Sequence, residues 1–281
     1  MNIRDRLHVD RLWSRAPVVA VLRFEGVIMS RPRRGGVSLA SHAAAIERAF
    51  RASNLVAVAV VVNSPGGSAV QSALIFRRIR DLAEERRVPV IAFAEDVAAS
   101  GGYWLALAGD EIFSEETSIL GSIGVISAGF GFSQLIERLG VERRLYTAGE
   151  RKSLLDPFLP QNPADVERLT VVQQDIHRAF KEHVRRRRAG KIGVEDEALF
   201  NGDVLTGRMA LNRGLVDGIG ELRGVMRARY GDKVKLRSFA DERRRWPFWR
   251  RVPFTAAEPA SAITDLADWI EARLLWASLG L

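Results

Sequence analysis

The hydrophobic pattern of this chain alternates short apolar runs with longer amphipathic stretches. Leu55–Val62 and Val88–Ala94 are continuous apolar runs, which are typical of strands buried on both faces of a parallel sheet. Helical spacing of apolar residues predicts helices over about 40–53 and 68–86. Pro17–Phe24 is predicted as the first strand, because proline is tolerated at the first position of a strand. This alternation predicts a layered α/β fold.

Beyond residue 100 the pattern predicts shorter elements and one long helix. A helix is expected to begin at about Ser100, with Gly102–Ala108 as its apolar part. A long polar helix is predicted over Pro163–Arg188, where the proline lies near the start and its missing N–H is not needed. The other predicted strands are Glu111–Ser114, Ile123–Ile126, Glu142–Thr147 and Lys233–Phe239, and the other predicted helices are Gly131–Leu139 and 206–214.

Composition divides the chain into a main domain over 1–240, a linker rich in Arg, Pro and Ala over 241–260, and an amphipathic helix over 261–281. The last two parts interleave basic and aromatic residues, a combination that suits a helix lying in a membrane interface. A helix packed on its own body or on a neighbouring subunit is the alternative. The aromatic and apolar residues concerned are Trp246, Phe248, Trp249, Ile263, Leu266, Trp269, Ile270, Leu274 and Trp276.

Composition and charge limit the classes of function. The chain has no cysteine, which excludes disulfides and thiolate catalysis and fits a reducing compartment. The net charge of +8 indicates either solvated basic faces or attraction to anionic lipid. Nucleic acid is not expected as a partner, because no recognisable nucleic-acid module accompanies the charge. The four histidines match no metal-ligand pattern, and no cofactor is expected.

The N-terminal region does not predict a signal peptide. Residues 1–15 are strongly charged, and the apolar run Ala16–Leu22 is only as long as a strand. No window approaches the roughly 20 apolar residues of a membrane-spanning helix. We therefore expect a cytoplasmic protein that is not exported by a cleaved signal.

A glycine turn follows the second predicted strand. Ser64-Pro65-Gly66-Gly67 places a rigid proline before two residues without a Cβ, so its backbone N–H groups are able to approach a ligand closely. An oxyanion formed during acyl transfer needs donors of this kind. The alternative is an ordinary tight turn.

Ser100 is the candidate nucleophile, because it has small neighbours and precedes an apolar helix. The alternative is a helix-capping serine. Lys152 is the candidate base, since a lysine whose pKa is lowered is able to accept a proton at neutral pH. The alternative is a solvated surface lysine. Ser122 is a candidate for orienting that amine, and the alternative is a serine in a loop or cap.

Together these segments resemble peptidase family S49, of the signal peptide peptidase A type and in particular its short SohB-like form. The resemblance covers roughly residues 17–225, and five motifs occur in the order of the family. They are Asn63-Ser64-Pro65-Gly66-Gly67, Ala98-Ala99-Ser100-Gly101-Gly102-Tyr103, Gly121-Ser122-Ile123-Gly124-Val125-Ile126, Lys152-Ser153 with Asp156-Pro157-Phe158, and Thr206–Leu211 with Gly214–Asp217.

The resemblance implies a fold similar to the Clp protease and crotonase group, with stacked β-sheets and flanking helices, over a peptidase domain at 1–240. It also implies Ser100 as nucleophile, Lys152 as general base, Ser122 as the residue that orients this base, and the N–H groups of Gly67 and Gly101 as the oxyanion hole. The expected partners are peptide substrates and further copies of the chain.

The expected activity is that of a serine endopeptidase that degrades signal-peptide remnants or other short or membrane-associated peptides. Many family members carry an N-terminal membrane anchor that this sequence lacks. We therefore expect a location in the cytoplasm or at the inner face of the cytoplasmic membrane. Tyr103 and Trp104 either line the site, favouring small or apolar substrate side chains, or belong to the core. The alternatives to a peptidase are a crotonase-like acyl-CoA enzyme and a non-catalytic peptide-binding scaffold.

Overall fold

The computed structural model describes residues 16–30, 36–149, 151–193 and 196–240, together with Trp276 and Leu279. In chain order its elements are β1 (Val18–Glu25), α1 (Leu39–Phe50), β2 (Leu55–Ser64), α2 (Ala69–Arg86), β3 (Val90–Ala99), α3 (Gly101–Ala106), β4 (Glu111–Ser114), β5 (Ile119–Gly121), α4 (Ser133–Arg138), α5 (Pro163–Arg187), α6 (Asp196–Leu199), β6 (Val204–Thr206), α7 (Gly207–Asn212), β7 (Gly218–Ile219), α8 (Leu222–Tyr230) and β8 (Lys235–Ser238).

The strands form one sheet with the order β6-β5-β3-β2-β1-β8, in which every pair is parallel except β5 with β6. The sheet forks at β3. Residues Ile91–Ala94 of this strand pair with β4, and Val97–Ala99 pair with β5. A mixed α/β fold with helices on both faces of the sheet confirms the predicted fold class.

The apolar run of β2 is buried on both faces of the sheet, as predicted from its lack of alternation. Val58, Val60 and Val62 pack in a larger core that includes residues of α1, α2, α3 and α5. Ala57, Ala59 and Val61 point the opposite way, as successive side chains of a strand do, into a smaller core that includes Met226 of α8. The sheet therefore holds the carboxyl ends of β2 and β3 in a rigid, fully packed frame.

Local sequence signals account for the starts of two helices. The Ser68 hydroxyl accepts a hydrogen bond from Gln71 N at the start of α2, as an N-cap serine does. At the start of α5, Asn162 caps the helix and Pro163 occupies its first turn. The predicted helix over Pro163–Arg188 is thus confirmed almost to the residue.

Two predicted strands were wrong. Ile123–Ile126 is not a strand, because the chain leaves the sheet at Gly121 (φ 91°) and Ser122 (φ 49°), directly after β5. Residues 142–147 lie exposed and pair with no described strand. The sequence pattern also ended β3 too early and missed α8.

The charged N-terminal stretch 1–15, the predicted linker over 241–260 and the predicted C-terminal helix over 261–281 lie outside the described residues, apart from Trp276 and Leu279. Within the described part of the chain, no helix has the length and apolar character needed to cross a membrane.

Candidate active site

The predicted nucleophile lies at the junction of β3 and α3. Ser100 is half-buried and has φ 50° and ψ −120°, a backbone conformation that residues with a side chain rarely adopt. Its N–H donates to Gly121 O at 2.8 Å, and its carbonyl accepts from Trp104 N at 3.0 Å. The flanking elements therefore hold this serine in a strained conformation, and strain of this kind concentrates at functional sites.

Two glycines let the turn after β2 pack directly against Ser100. A Cβ added to Gly66 would lie 2.8 Å from Ser100 Cβ, and one added to Gly102 would lie 2.6 Å from the Ser64 carbonyl oxygen. The Ser64 hydroxyl accepts a hydrogen bond from Gly66 N at 3.1 Å, which braces the turn internally. Because any side chain at these glycines would separate the two turns, their contact depends on the missing Cβ atoms.

Two backbone N–H groups come together where the turns meet. A Cβ added to Gly101 would lie 3.4 Å from Gly67 N. Gly67 has φ 129°, and Ile28 holds the turn from its other side through a 2.8 Å hydrogen bond from Ile28 N to Gly66 O. Among the hydrogen bonds of the described residues, neither the Gly67 nor the Gly101 N–H has an acceptor. Two unpaired donors beside a serine are what an oxyanion hole requires.

Ser122 is joined to the same group through the backbone. Its neighbour Gly121 accepts the hydrogen bond from Ser100 N, and Ser122 N donates to Asp203 O at 2.7 Å. Like Ser100, Ser122 is a half-buried residue with positive φ. The turn that carries Ser122 therefore lies next to the turn that carries Ser100.

Among the hydrogen bonds of the described residues, none joins Lys152 to this group. It lies exposed on the connection between α4 and α5, where its backbone N–H donates to Gly149 O at 3.2 Å. In the described part of the structure, its ammonium group makes no hydrogen bond or ion pair. The fold thus brings Ser100, Gly67, Gly101 and the Ser122 turn together, and the role of Lys152 stays a prediction.

The segment around Lys152 carries many exposed apolar side chains. Residues 126–149 and 151–158 are mostly exposed, and α4 contributes no buried residue. Large exposed apolar patches are rare on monomeric proteins, and where they occur they usually mark an interaction site. The most exposed members are Ile126 (81% exposed), Phe130 (72%), Leu135 (52%), Leu139 (68%), Val141 (54%) and Tyr146 (90%).

The two aromatics that follow Ser100 belong to the core rather than to the site. Tyr103 is completely buried, and its hydroxyl donates to Leu215 O at 2.7 Å. Burial raises the pKa of the Tyr103 phenol. Trp104 stacks on Phe180 and His183 of α5, with ring centroids 4.9 and 4.7 Å apart. Both rings anchor α3 in the core.

The motif Gly214–Asp217 joins the end of α5 to the sheet. Arg188 is 2% exposed and donates to both carboxylate oxygens of Asp217, at 2.7 and 3.1 Å, and to Gly214 O at 2.8 Å. Lys191 donates to the same carboxylate at 2.7 Å. Burial raises the pKa of Asp217, but the hydrogen bonds from Arg188 and Lys191 outweigh burial and hold it below its ordinary value. This motif has a structural role.

Ser72 is a residue near the site that sequence reasoning missed. It is fully buried on α2, its hydroxyl donates to Ser68 O at 3.0 Å, and a Cβ on Gly101 would lie 2.6 Å from its oxygen. The signal was available, because Ser72 is a polar residue in helical register with the buried Ile75 and Ile79.

A separate cleft of about 590 Å³ lies over the smaller core, with Phe93, Glu95, Glu115 and Leu222 in its walls, and does not include Ser100.

In the ranges that the structure describes, no group of three or more His, Asp or Glu side chains is placed to hold a metal ion.

Comparison with known proteins supports the family. A model of Peptidase family S49 matches residues 83–235, more than half of the chain. A Brucella abortus protein named Na(+)/H(+) antiporter NhaA is 47% identical over 274 residues, which cover 94% of this chain and 37% of that protein.

Two further relatives are named as peptidases. The chloroplastic serine protease SPPA of Arabidopsis thaliana is 36% identical, over 62% of this chain and 26% of that protein. The putative signal peptide peptidase SppA of Enterococcus faecium is 34% identical, over 58% of this chain and 47% of that protein. This chain thus spans less than half the length of each of these three relatives. The family match and the order of motifs along the sheet edge lead to one conclusion: the chain belongs to peptidase family S49, a family of proteases.

Proposed function

We propose that this protein is a serine endopeptidase in which Ser100 is the nucleophile and Lys152 the general base. The observation that carries the proposal is the strained Ser100 beside the unpaired N–H groups of Gly67 and Gly101. The name of the Arabidopsis relative, a serine protease, supports the serine type.

The chemistry is acyl transfer. Neutral Lys152 takes the proton of the Ser100 hydroxyl, and Ser100 Oγ attacks the peptide carbonyl carbon. The N–H groups of Gly67 and Gly101 donate to the oxyanion of the tetrahedral intermediate. The ammonium of Lys152 then protonates the leaving amine, and water hydrolyses the acyl-enzyme. Ser122 holds the amine of Lys152 in line with Ser100.

The exposure of Lys152 requires a further step, because a lysine acts as a base near neutral pH only where burial or a neighbouring cation lowers its pKa. We propose that a second copy of the chain covers segment 126–158, buries its apolar side chains and presses Lys152 towards Ser100. Two properties of the segment support this homo-oligomer: many of its apolar side chains are exposed, and it carries the proposed base.

The proposed substrates are peptides, in particular remnants of signal peptides or other short or membrane-associated peptides. The Enterococcus relative, named a putative signal peptide peptidase, supports this class. The Brucella relative, named an antiporter, supports a place at a membrane.

A membrane contact through residues 241–281 is part of the proposal and has its own test. Co-sedimentation with anionic liposomes should fall when Trp246, Phe248 and Trp249 are all replaced by Ser. Equal liposome binding by the wild-type protein and the triple variant would contradict this membrane contact.

The catalytic proposal is tested by turnover of a fluorogenic peptide library. Ser100→Ala should lower kcat by about 10³-fold or more. Lys152→Ala and Lys152→Arg should both be nearly inactive, because arginine keeps the charge but is not a base. Lys233→Ala removes an exposed lysine elsewhere and should leave turnover unchanged.

Undiminished peptide turnover in Ser100→Ala or in both Lys152 variants would overturn the dyad. The same assay with acyl-CoA esters separates a peptidase from a crotonase-like enzyme, since a crotonase-like enzyme would turn over acyl-CoA esters in preference to peptides and without Lys152.

A further inference from the structure

A bulge interrupts the pairing of β2 with β3 just before both strands reach the site. Val62 pairs with Ala94, and the next pair is Ser64 with Ala98. A single residue of β2, Asn63, therefore faces three residues of β3. Bulges redirect strands and are frequent beside active sites. This bulge also lies where β3 changes its other partner from β4 to β5.

The side chain of Asn63 bridges this bulge. Its Nδ2 donates to Asp96 Oδ2 at 2.7 Å, and its Oδ1 accepts from Val97 N at 3.3 Å. The carboxylate demands a donor and the backbone N–H demands an acceptor, so both contacts require the same orientation of the carboxamide. The Asn63 carbonyl also accepts from Gly26 N at 2.9 Å, which ties the same residue to β1.

Each end of this bridge leads directly to one half of the site. Ser64, the residue after Asn63, accepts from Gly66 N and contacts the backbone at Gly102. On β3, Ser100 follows Val97 by three residues. The Asn63 carboxamide therefore links the strand that leads to the Gly67 turn with the strand that leads to the nucleophile.

We propose that Asn63 is a positioning residue for the Ser100 chemistry, acting through its hydrogen bonds to Asp96 and Val97. The inference rests on the proposed function. Asparagine suits this role because it offers a donor and an acceptor on one planar group. Aspartate has the same shape but would place a second carboxylate against Asp96, and the repulsion would open the bulge.

The test exchanges the side chains of Asn63 and Asp96, singly and together. The measurement is the rate at which a fluorophosphonate labels Ser100 in folded protein. Asn63→Asp should label at least about tenfold more slowly, since small misplacements of reacting groups have large effects on rate. Asp96→Asn should label at nearly the wild-type rate, because Asn63 keeps an acceptor. The double variant Asn63→Asp/Asp96→Asn restores a donor and an acceptor and should recover the wild-type rate.

If Asn63 had only a structural role, its loss would lower stability without changing the rate at which folded protein is labelled. The labelling rate is therefore calculated per folded molecule. In the peptide assay, kcat and KM are measured separately. Asn63→Asp should lower kcat and leave KM within about threefold. Wild-type labelling by Asn63→Asp, or a double variant as slow as the single one, would overturn the inference.

Hydrogen exchange of backbone amides provides a second test, which does not depend on the proposed chemistry. The amides of residues 96–100 should exchange faster in Asn63→Asp and recover in the double variant, whether or not the protein cleaves peptides. Unchanged exchange would overturn the bridging role of Asn63. Loss of labelling at Ser100 in the wild type would instead overturn the proposed function.

Discussion

Ser100 adopts its backbone conformation at a cost. With φ 50° and ψ −120°, it occupies a region that glycine enters freely and that other residues avoid. The fold tolerates this cost because hydrogen bonds from both neighbouring elements hold the residue. The conformation places Ser100 against the Gly66-Gly67 turn, and strain of this kind concentrates at functional sites.

This strain predicts that Ser100→Gly is more stable than Ser100→Ala. Both variants lack the nucleophile, but only glycine relieves the backbone, by about 1 kcal/mol. Urea unfolding of the two variants measures the difference directly. Equal unfolding free energies, or a more stable alanine variant, would show that the residue is unstrained.

Sequence reasoning predicted the local parts of the site and could not reach the others. Gly67, Gly101 and Ser100 lie in short turns whose small residues already indicate close backbone approach. Ser72 lies close to Gly101 only because of how α2 packs against α3. Lys152 lies 52 residues after Ser100 in the chain (152 − 100), and no local pattern specifies where its long exposed connection goes.

At the scale of elements, α5 fixes the position of α3. Phe180, His183 and Val184 form the buried part of α5, and His183 stacks on Trp104. Burial, together with the nearby Arg186 and Arg187, lowers the pKa of His183 to about 3. The ring is therefore neutral in the folded protein over most of the accessible pH range.

The buried histidine predicts a loss of stability in acid. As pH falls below 6.5 the unfolded chain takes up a proton at His183, whereas the folded chain does so only near pH 3. The folded state loses up to about 5 kcal/mol of stability over this window. Unfolding free energies measured between pH 7 and 4 should fall less steeply in His183→Gln.

Phe180→Leu is the matched control for this effect. It loosens the same contact and should cost about 1 kcal/mol at every pH, leaving the slope of stability against pH unchanged. A His183→Gln protein with the wild-type slope would show that acid acts on another group.

The ion pair between α5 and the sheet predicts a large effect of Asp217→Asn. This change leaves the 2%-exposed Arg188 without its carboxylate and should cost about 3–5 kcal/mol in thermal or urea unfolding. Glu116→Gln removes the partner of Arg208 in a solvated pair and should change stability little. Similar losses in both variants would contradict the structural role of Asp217.

Element boundaries were predictable where the apolar pattern and the backbone agree. The predictions of β2, α2 and α5 were correct within a few residues. The strand β2 is a continuous apolar run, and the two helices are periodic runs with a clear N-cap. β3 was ended at Ala94 because Glu95 and Asp96 resemble the end of a strand, whereas the structure accommodates them in a bulge. Bulges depend on the neighbouring strand, so the sequence of β3 alone does not reveal them.

At the scale of the whole molecule, the apolar segment 126–158 predicts assembly. In light scattering the protein should have a mass that is a multiple of 31.2 kDa. Phe130→Asp/Leu139→Asp should reduce this mass and the peptide turnover together, because in the proposed mechanism assembly brings Lys152 to Ser100. Met209→Asp, at an apolar residue 42% exposed elsewhere, should change neither. A wild-type protein of 31.2 kDa with full activity would rule out the assembly.

The most direct measurement of the chemistry is intact-mass spectrometry after treatment with a fluorophosphonate, followed by peptide mapping. One adduct per chain is expected, on Ser100, formed at a rate that falls sharply in Lys152→Ala and is unaffected in Lys233→Ala. An adduct on any other residue, or none at all on folded and assembled protein, would contradict a serine peptidase built on Ser100.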